Sequence, residues 1–344
     1  YNWLKIMKKK FNVGLIGLGT TGSEHIKFYN KNKKVKRVFV SDIKKLKKFK
    51  SKKVIIDPAL KKFSNIFEEK VVSISNHDKD HFKNIIKHYS AAHIFVEKPL
   101  CRSFEETKKI FQLVKKNKFK HLLYSNLVLR NASIFKDILN QISKGEFGKV
   151  YYFEGDYLYG RINKIINGWR GKDKSYSVML GGGIHMVDLM RYFSKQNFNK
   201  ISSHINTAYW NIKVEDNAFI IMESENNVIA SMHSSATQWK HKFLLEMCFE
   251  EGYLNLDGIL SGTRSYAPEK LVLGRREFED ITFAMGKPKE NITWFENDDS
   301  WVLEVDEFIN AVKGTGEILH GTLNDAFETL SLVENIYNSS KFNY

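Results

Sequence analysis

With 344 residues, 42% of them hydrophobic and 13% aromatic, the chain is too long for one comfortable core and reads as two globular domains. Its two cysteines, Cys101 and Cys248, lie far apart and in no metal-ligand spacing, which argues against a disulfide scaffold or a structural zinc site, and no apolar run reaches the roughly 20 residues of a membrane span. The formal charge of +15 sits largely in lysine runs such as KNKKVK and IKKLKKFKSKK without interleaved aromatics, so it reads as solvated faces that attract small anions rather than a nucleic-acid surface.

The opening YNWLKIMKKK has neither the apolar stretch nor the cleavage site of a signal peptide; together with the cysteine usage this leads us to expect a cytoplasmic protein with no membrane partner. From residue 11 short apolar runs alternate with amphipathic stretches. NVGLIG (12–17), VKRVFVSD (35–42), KVVSIS (70–75), AHIFVEK (92–98) and HLLYSN (121–126) read as strands, and 22–30 and 103–117 as helices between them. Strands apolar on both faces, alternating with helices, predict an α/β domain with a doubly wound parallel sheet over 1–123. From 124 to the end the strands lengthen and alternate apolar with polar, as in KVYYFEGDYLYG and NAFIIMES. These and two closing helices at about 300–313 and 322–340 predict an α+β domain with a large, mostly antiparallel open sheet.

Gly17-Leu18-Gly19-Thr20-Thr21-Gly22 is a G-x-G-x-x-G that follows the first strand and opens the first helix. The physical need is specific: Gly17 for the tight turn, Gly19 for close approach of a pyrophosphate, Gly22 for helix–strand packing. Thr20 and Thr21 occupy the turn, and the helix N-terminus supplies amide donors to phosphate. Asp42 lies twenty residues after Gly22 at the end of the second strand, where a carboxylate accepts ribose hydroxyls and repels a 2′-phosphate. This predicts NAD in preference to NADP, with Ser41, Lys44 and Lys45 close enough to soften the choice. Glu97-Lys98-Pro99 closes the fourth of these strands at the edge where doubly wound sheets bind ligands, and Pro99 restricts Lys98 to extended geometry.

In SVMLGGGIHMVDLMRYF (177–193) three glycines precede His185, and Asp188 follows three residues later. The glycines cost a helix about 1 kcal/mol each relative to alanine, so the expectation is a loop, Gly181–Gly183, before a helix that presents His185.

Together these segments resemble the Gfo/Idh/MocA oxidoreductases, the family of glucose–fructose oxidoreductase and inositol dehydrogenase. The likeness runs in order from the Gly17–Gly22 turn through Asp42, VVSISNHDKDH, FVEKPL and GGGIHMVD to EVDEFINAVKGTGE. It implies an N-terminal Rossmann domain and hydride transfer between a nicotinamide cofactor and a secondary alcohol of a sugar, cyclitol or nucleotide-linked sugar. Lys98 would lie at nicotinamide and substrate, with the Lys98–Pro99 peptide cis. His185 would transfer the proton, and Asp188, on the same helix face, would orient its ring or bind a substrate hydroxyl. Ser75, Asn76, His81 and Glu97 would line the cofactor region.

For the substrate, Trp169 and Arg170 in NGWRGK resemble a pair found in many relatives, and an aromatic face with a guanidinium suits a sugar bearing a carboxylate or phosphate. Asn126 and Arg130, at the domain junction, and Tyr157, Tyr159 and Arg161 are further candidates to line the cleft. His77 and His81 stand at i, i+4 without a third ligand, so no metal is expected. One departure from the family pattern is Gly181, where many relatives carry an aspartate four residues before the histidine. It leaves open a family glycosidase-type redox and elimination reaction, or a cofactor-bound sugar sensor with altered chemistry. An open sheet face in the second domain predicts a homodimer or homotetramer.

Overall fold

The computed structural model describes residues 10–117, 121–160, 177–260, 264–277 and 288–340. By internal contact the chain divides into two units, residues up to Asn131 with Asp299–Leu330, and Ala132–Asp298 with Ser331 onward.

The first unit carries strands β1 (Phe11–Ile16), β2 (Val35–Ser41), β3 (Val54–Ile56), β4 (Lys70–Ile74), β5 (His93–Glu97) and β6 (Leu123–Asn126). They form one sheet in the order β3-β2-β1-β4-β5-β6, every pair parallel. Successive residues feed opposite faces, as the period of two requires. Val71 and Phe95 join a core with Phe11, Val13 and Leu15, while their neighbours Val72 and Val96 join a second core with Phe39, Ile74 and Ile94. Both faces are therefore covered, and this is why the strands read as continuous apolar runs.

Helix α1 (Thr20–Lys31) covers the first face with Ile26 and Tyr29; α2 (His81–His88) and α3 (Phe104–Asn117) cover the second with Ile85 and Ile110. The expected boundary at 123/124 does not coincide with the contact division. After α4 (Ser133–Ser143) and α5 (Ile184–Ser194), helix α6 (Ser300–Val312) returns to the first unit. There Val305, Phe308, Ile309 and Val312 complete the core that α1 begins. Helix α7 (Leu323–Ser339) contributes Ala326 to the second core of that unit. Strand β3, only three residues long, is too short to show a period in sequence.

In the second unit eight strands form the sheet β14-β13-β12-β11-β7-β10-β9-β8. They are β7 (Val150–Gly160), β8 (Phe198–Asn206), β9 (Asn217–Ser224), β10 (Ile229–Gln238), β11 (Lys242–Phe249), β12 (Gly252–Asp257), β13 (Glu269–Arg275) and β14 (Glu290–Phe295). Only the β7–β10 pair is parallel. Alternation is clean on β9, where Ala218, Ile220 and Met222 are buried while Phe219 and Ile221 are exposed. The sheet thus buries one face and leaves apolar side chains on the other.

The glycine segment departs from expectation. Met179–Gly183 is not a loop but one π-helical turn that runs directly into α5. Single π turns inside helices are uncommon and absorb an extra residue. The glycines serve packing: a Cβ on Gly182 would lie 2.5 Å from the Tyr157 ring, and one on Gly183 would lie 3.0 Å from Ser234 Oγ. The turn is held by Glu215, a fully buried residue whose carboxylate accepts the Met179 N–H at 3.3 Å and the Tyr337 hydroxyl at 2.6 Å.

Candidate active site

In the first unit the strand order reverses between β1 and β4, so the C-terminal ends of these strands flank the switch point. Gly17 leaves β1 with φ +89°, a conformation that favours glycine, and a Cβ there would sit 2.6 Å from the Asn76 backbone after β4. Ser75 closes the same turn by donating its hydroxyl to Gly17 O at 2.9 Å, and a Cβ on Gly22 would meet Gly17 O at 2.1 Å. Gly17 and Gly22 are thus required by the protein's own packing.

Gly19 is different. Among the described residues, none beyond its chain neighbours comes within 4 Å of a Cβ placed on it, so their packing does not explain the glycine. Gly19 is also the N-cap of α1, which has no side-chain cap and no acidic residue in its first turn. Amide donors at Thr20–Gly22 therefore lack the usual side-chain acceptor, and Gly19 and Thr20 are exposed. A diphosphate fits this cradle, because it brings the acceptors that the helix end lacks.

Asp42 follows β2 on the same edge. Its Oδ2 accepts the Leu18 N–H at 2.6 Å and its Oδ1 accepts the Lys44 N–H at 2.7 Å, which fixes the carboxylate beside the glycine turn. Each oxygen keeps a lone pair, as a pair of ribose hydroxyls would need.

Lys98 follows β5, half-buried, and its peptide bond to Pro99 is cis. His81 lies beneath, with Nδ1 2.9 Å from Pro99 O and Nε2 3.2 Å from Asn76 O. It ties the β4 loop to the β5 end. His77, expected to matter only as a possible ligand, pairs with its neighbour Asp78.

Three residues expected at the site make contacts within the first unit. Asn126 is fully buried, and its amide donates to Glu97 Oε1 at 2.6 Å and to Glu304 Oε1 at 3.3 Å. Both of its amide N–H donors are thus taken up by carboxylates of the first unit. Glu97, expected among the cofactor contacts, is likewise turned inward, with Nε2 of the fully buried His25 at 3.1 Å. Arg130 is buried in an ion pair with Asp325 at 3.0 Å. Sequence reasoning missed His25 and Glu304 altogether; nothing local marks either one, since they lie 279 residues apart.

In the second unit His185 occupies the first turn of α5 with Asp188 at i+3, both buried. The Tyr157 ring stacks on the imidazole at a centroid distance of 6.0 Å and 18° between planes. Tyr159 and Tyr266 meet Tyr157 edge-on or tilted at 5.5 Å, and His241 meets Tyr266 at 4.8 Å. Tyr157 and Tyr159 were expected near a site; Tyr266 and His241 come from distant loops and carry no sequence signal. Trp169, Arg170 and Arg161 lie outside the described residues.

Residues 11–124 match the NAD-binding Rossmann-fold domain of the GFO_IDH_MocA oxidoreductase family, and residues 135–255 match the GFO/IDH/MocA C-terminal domain. No curated protein matches the chain. Among solved structures, it is similar to myo-inositol 2-dehydrogenase from Lactobacillus plantarum, with 16% identity, TM-score 0.75, and 96% of this chain and 97% of that one covered. It is similar also to UDP-N-acetylglucosamine 3-dehydrogenase from Acidithiobacillus ferrooxidans, with 15% identity, TM-score 0.73 and coverage of 96% and 98%. The WlbA dehydrogenase from Bordetella pertussis, solved with NADH and UDP-GlcNAcA, gives 16%, 0.73, and 96% of each chain. At such identities these likenesses concern the fold. With both of its domain models matched in order along the sequence, the chain belongs to the GFO/IDH/MocA oxidoreductase family, and its first domain is an NAD-binding Rossmann domain.

Proposed function

We propose that this protein is an NAD-dependent dehydrogenase acting on a secondary alcohol of a sugar, cyclitol or nucleotide-linked sugar. The observation that carries the reading is one sheet edge that gathers the uncapped glycine turn, Asp42 and Lys98 at the ends of β1, β2 and β5. The unit with residues up to Asn131 and 299–330 serves as the cofactor domain, and the other as the substrate domain. When bound, the nicotinamide supplies the hydride acceptor or donor. Gly17–Gly22 hold its diphosphate and Asp42 its adenosine ribose, which favours NAD over NADP.

Lys98 places an ammonium on the alcohol oxygen and stabilises developing alkoxide character. His185 accepts the alcohol proton in the oxidative direction, and the reverse reaction returns it. Asp188 orients the imidazole or takes a substrate hydroxyl, while Trp169 and Arg170 bind the sugar. Gly181 brings no carboxylate to the helix turn before His185, so proton transfer rests on Lys98 and His185. Absence of a catalytic aspartate there does not require a different reaction, because neither residue needs it to hold the alcohol oxygen.

We place the protein in the cytoplasm on its unbridged Cys101 and Cys248. The open face of the second sheet, with Phe219, Ile221, Ile292 and Trp294 exposed, is proposed to pair with a second copy in a homodimer or homotetramer.

The test is NADH fluorescence with purified protein against free and nucleotide-linked sugars, with Lys98→Ala alongside. NADH accumulation that disappears in Lys98→Ala supports the reading. Turnover of glycosides with no net NADH change replaces it with the redox-elimination reaction, and NADH binding with no turnover replaces it with a sensor.

A further inference from the structure

The buried cluster behind Glu97 is not used by any step above. His25, on α1, is fully buried, and its Nε2 faces Glu97 Oε1 at 3.1 Å and Glu304 Oε1 at 3.5 Å. Its Nδ1 faces Ser73 Oγ on β4 at 3.5 Å. Phe95 and Trp301 pack on the ring at centroid distances of 5.1 and 5.6 Å. Two carboxylates brought this close in an apolar core repel, and a positive charge between them removes the conflict.

Two cations meet that need, a proton on the imidazole or a metal ion. The three donor atoms lie within 4.8 Å of one another, compatible with either. Asn126 decides between them. Its amide nitrogen donates to both Oε1 atoms, the same oxygens that face His25, and N–H donors aimed there oppose a metal ion seated on them.

We propose that His25 is held as an imidazolium between Glu97 and Glu304, and that this buried cation is a positioning residue that fixes the end of β5 from which Lys98 reaches the alcohol oxygen. The electrostatics of the same contacts agree with this charge state. Burial alone would lower the pKa of His25, but the Glu304 and Glu97 carboxylates more than offset it and push it up to about 9. The positional role follows from connectivity: His25 stands three residues after Gly22, and Glu97 is bonded directly to Lys98. One side chain therefore links the phosphate-binding helix to the strand end that carries the lysine. This inference rests on the reading of Lys98 as a reacting-site residue.

The experiment compares wild type with His25→Gln and the paired His25→Leu/Glu304→Leu. Five quantities are read: imidazole ¹⁵N shifts, amide hydrogen exchange over residues 94–101, Tm, NADH affinity and kcat. We expect a doubly protonated His25 at pH 7.5. In His25→Gln, exchange at 97–100 rises about tenfold and kcat falls at least tenfold, while NADH affinity stays within about threefold. The paired variant removes one charge of each sign and regains thermal stability, but neither the protection at 97–100 nor kcat, because Glu97 still lacks its holder. A neutral imidazole at pH 7.5 overturns the proposal, as does stoichiometric metal in the purified protein or a paired variant with wild-type kcat and protection. If wild type moves no hydride, the dehydrogenase reading fails by itself. Exchange at 97–100 then still decides this one: a rise in His25→Gln supports it and no change overturns it.

Discussion

The Asp42 carboxylate accepts the Leu18 amide at 2.6 Å, joining the end of the second strand to the middle of the glycine turn. Side chain and turn are thereby set in one geometry. In the proposed reading Asp42 acts on the cofactor in two ways, by shaping the turn and by offering oxygens to the ribose. Charge-assisted hydrogen bonds are worth about 1.5–3 kcal/mol each. Asp42→Ala is therefore expected to weaken NADH binding by roughly 10- to 100-fold and to raise the NADPH/NADH affinity ratio. Fluorescence titration with both nucleotides checks it, and an unchanged ratio would remove Asp42 from cofactor choice.

Glycines of one motif should respond differently to the same methyl group. At Gly17, φ of +89° and a Cβ 2.6 Å from Asn76 backbone atoms make Gly17→Ala a folding defect, at about 1–2 kcal/mol for the backbone alone plus the clash. Gly19 has φ −74° and open space around its Cβ, so Gly19→Ala should leave Tm within about 2 °C. NADH affinity should nonetheless drop more than tenfold, because the methyl stands where the diphosphate approaches. Equal loss of stability in the two variants would show that Gly19 is a packing glycine.

Around His185 a substitution can separate fold from chemistry. Gly182→Ala drives a methyl into the Tyr157 ring that stacks on His185, an overpacking worth about 1–3 kcal/mol. We expect a Tm lower by several degrees and reduced turnover together. His185→Asn keeps the packing and removes the proposed base, so kcat should fall about 10²- to 10⁴-fold at nearly constant Tm. Retention of kcat in His185→Asn would assign the proton to another group.

The pH dependence of stability has two opposed parts. His88 and His93 are pushed down to about 4, mainly by burial, and His93 Nδ1 accepts the Leu122 N–H at 3.0 Å, a bond that protonation destroys. In the unfolded chain both take a proton near pH 6.5, so stability falls as pH drops from about 6.5 toward 4. His25, pushed up to about 9, works in the other direction. Its contribution, of order 3 kcal/mol, is complete below about pH 6.5 and is lost as pH rises through about 9. Tm against pH should therefore peak near 6.5–7 and decline on both sides. Removing the imidazole in His25→Gln should lower the curve near neutrality and flatten its alkaline limb.

Much of the first unit was legible because local chemistry suffices there. The Gly17–Gly22 pattern needs only its own spacing to announce a turn onto a helix, and Asp42 needs only its distance from it. Strands buried on both faces show as unbroken apolar runs, and the alternation of β9 or β11 shows a sheet with one face open. The family resemblance drew on the same short-range signals and foresaw the cis Lys98–Pro99 peptide. The glycines before His185 misled, because a propensity scale prices the backbone alone. It contains no term for the Tyr157 ring that a side chain at 182 would strike, so it favoured a loop over a π turn. What tertiary structure alone decided is the company each residue keeps. His25, Glu97 and Glu304 meet only because α6 returns to cover the face that α1 begins, and burying two carboxylates demands a counter-charge that no stretch of sequence near either one displays.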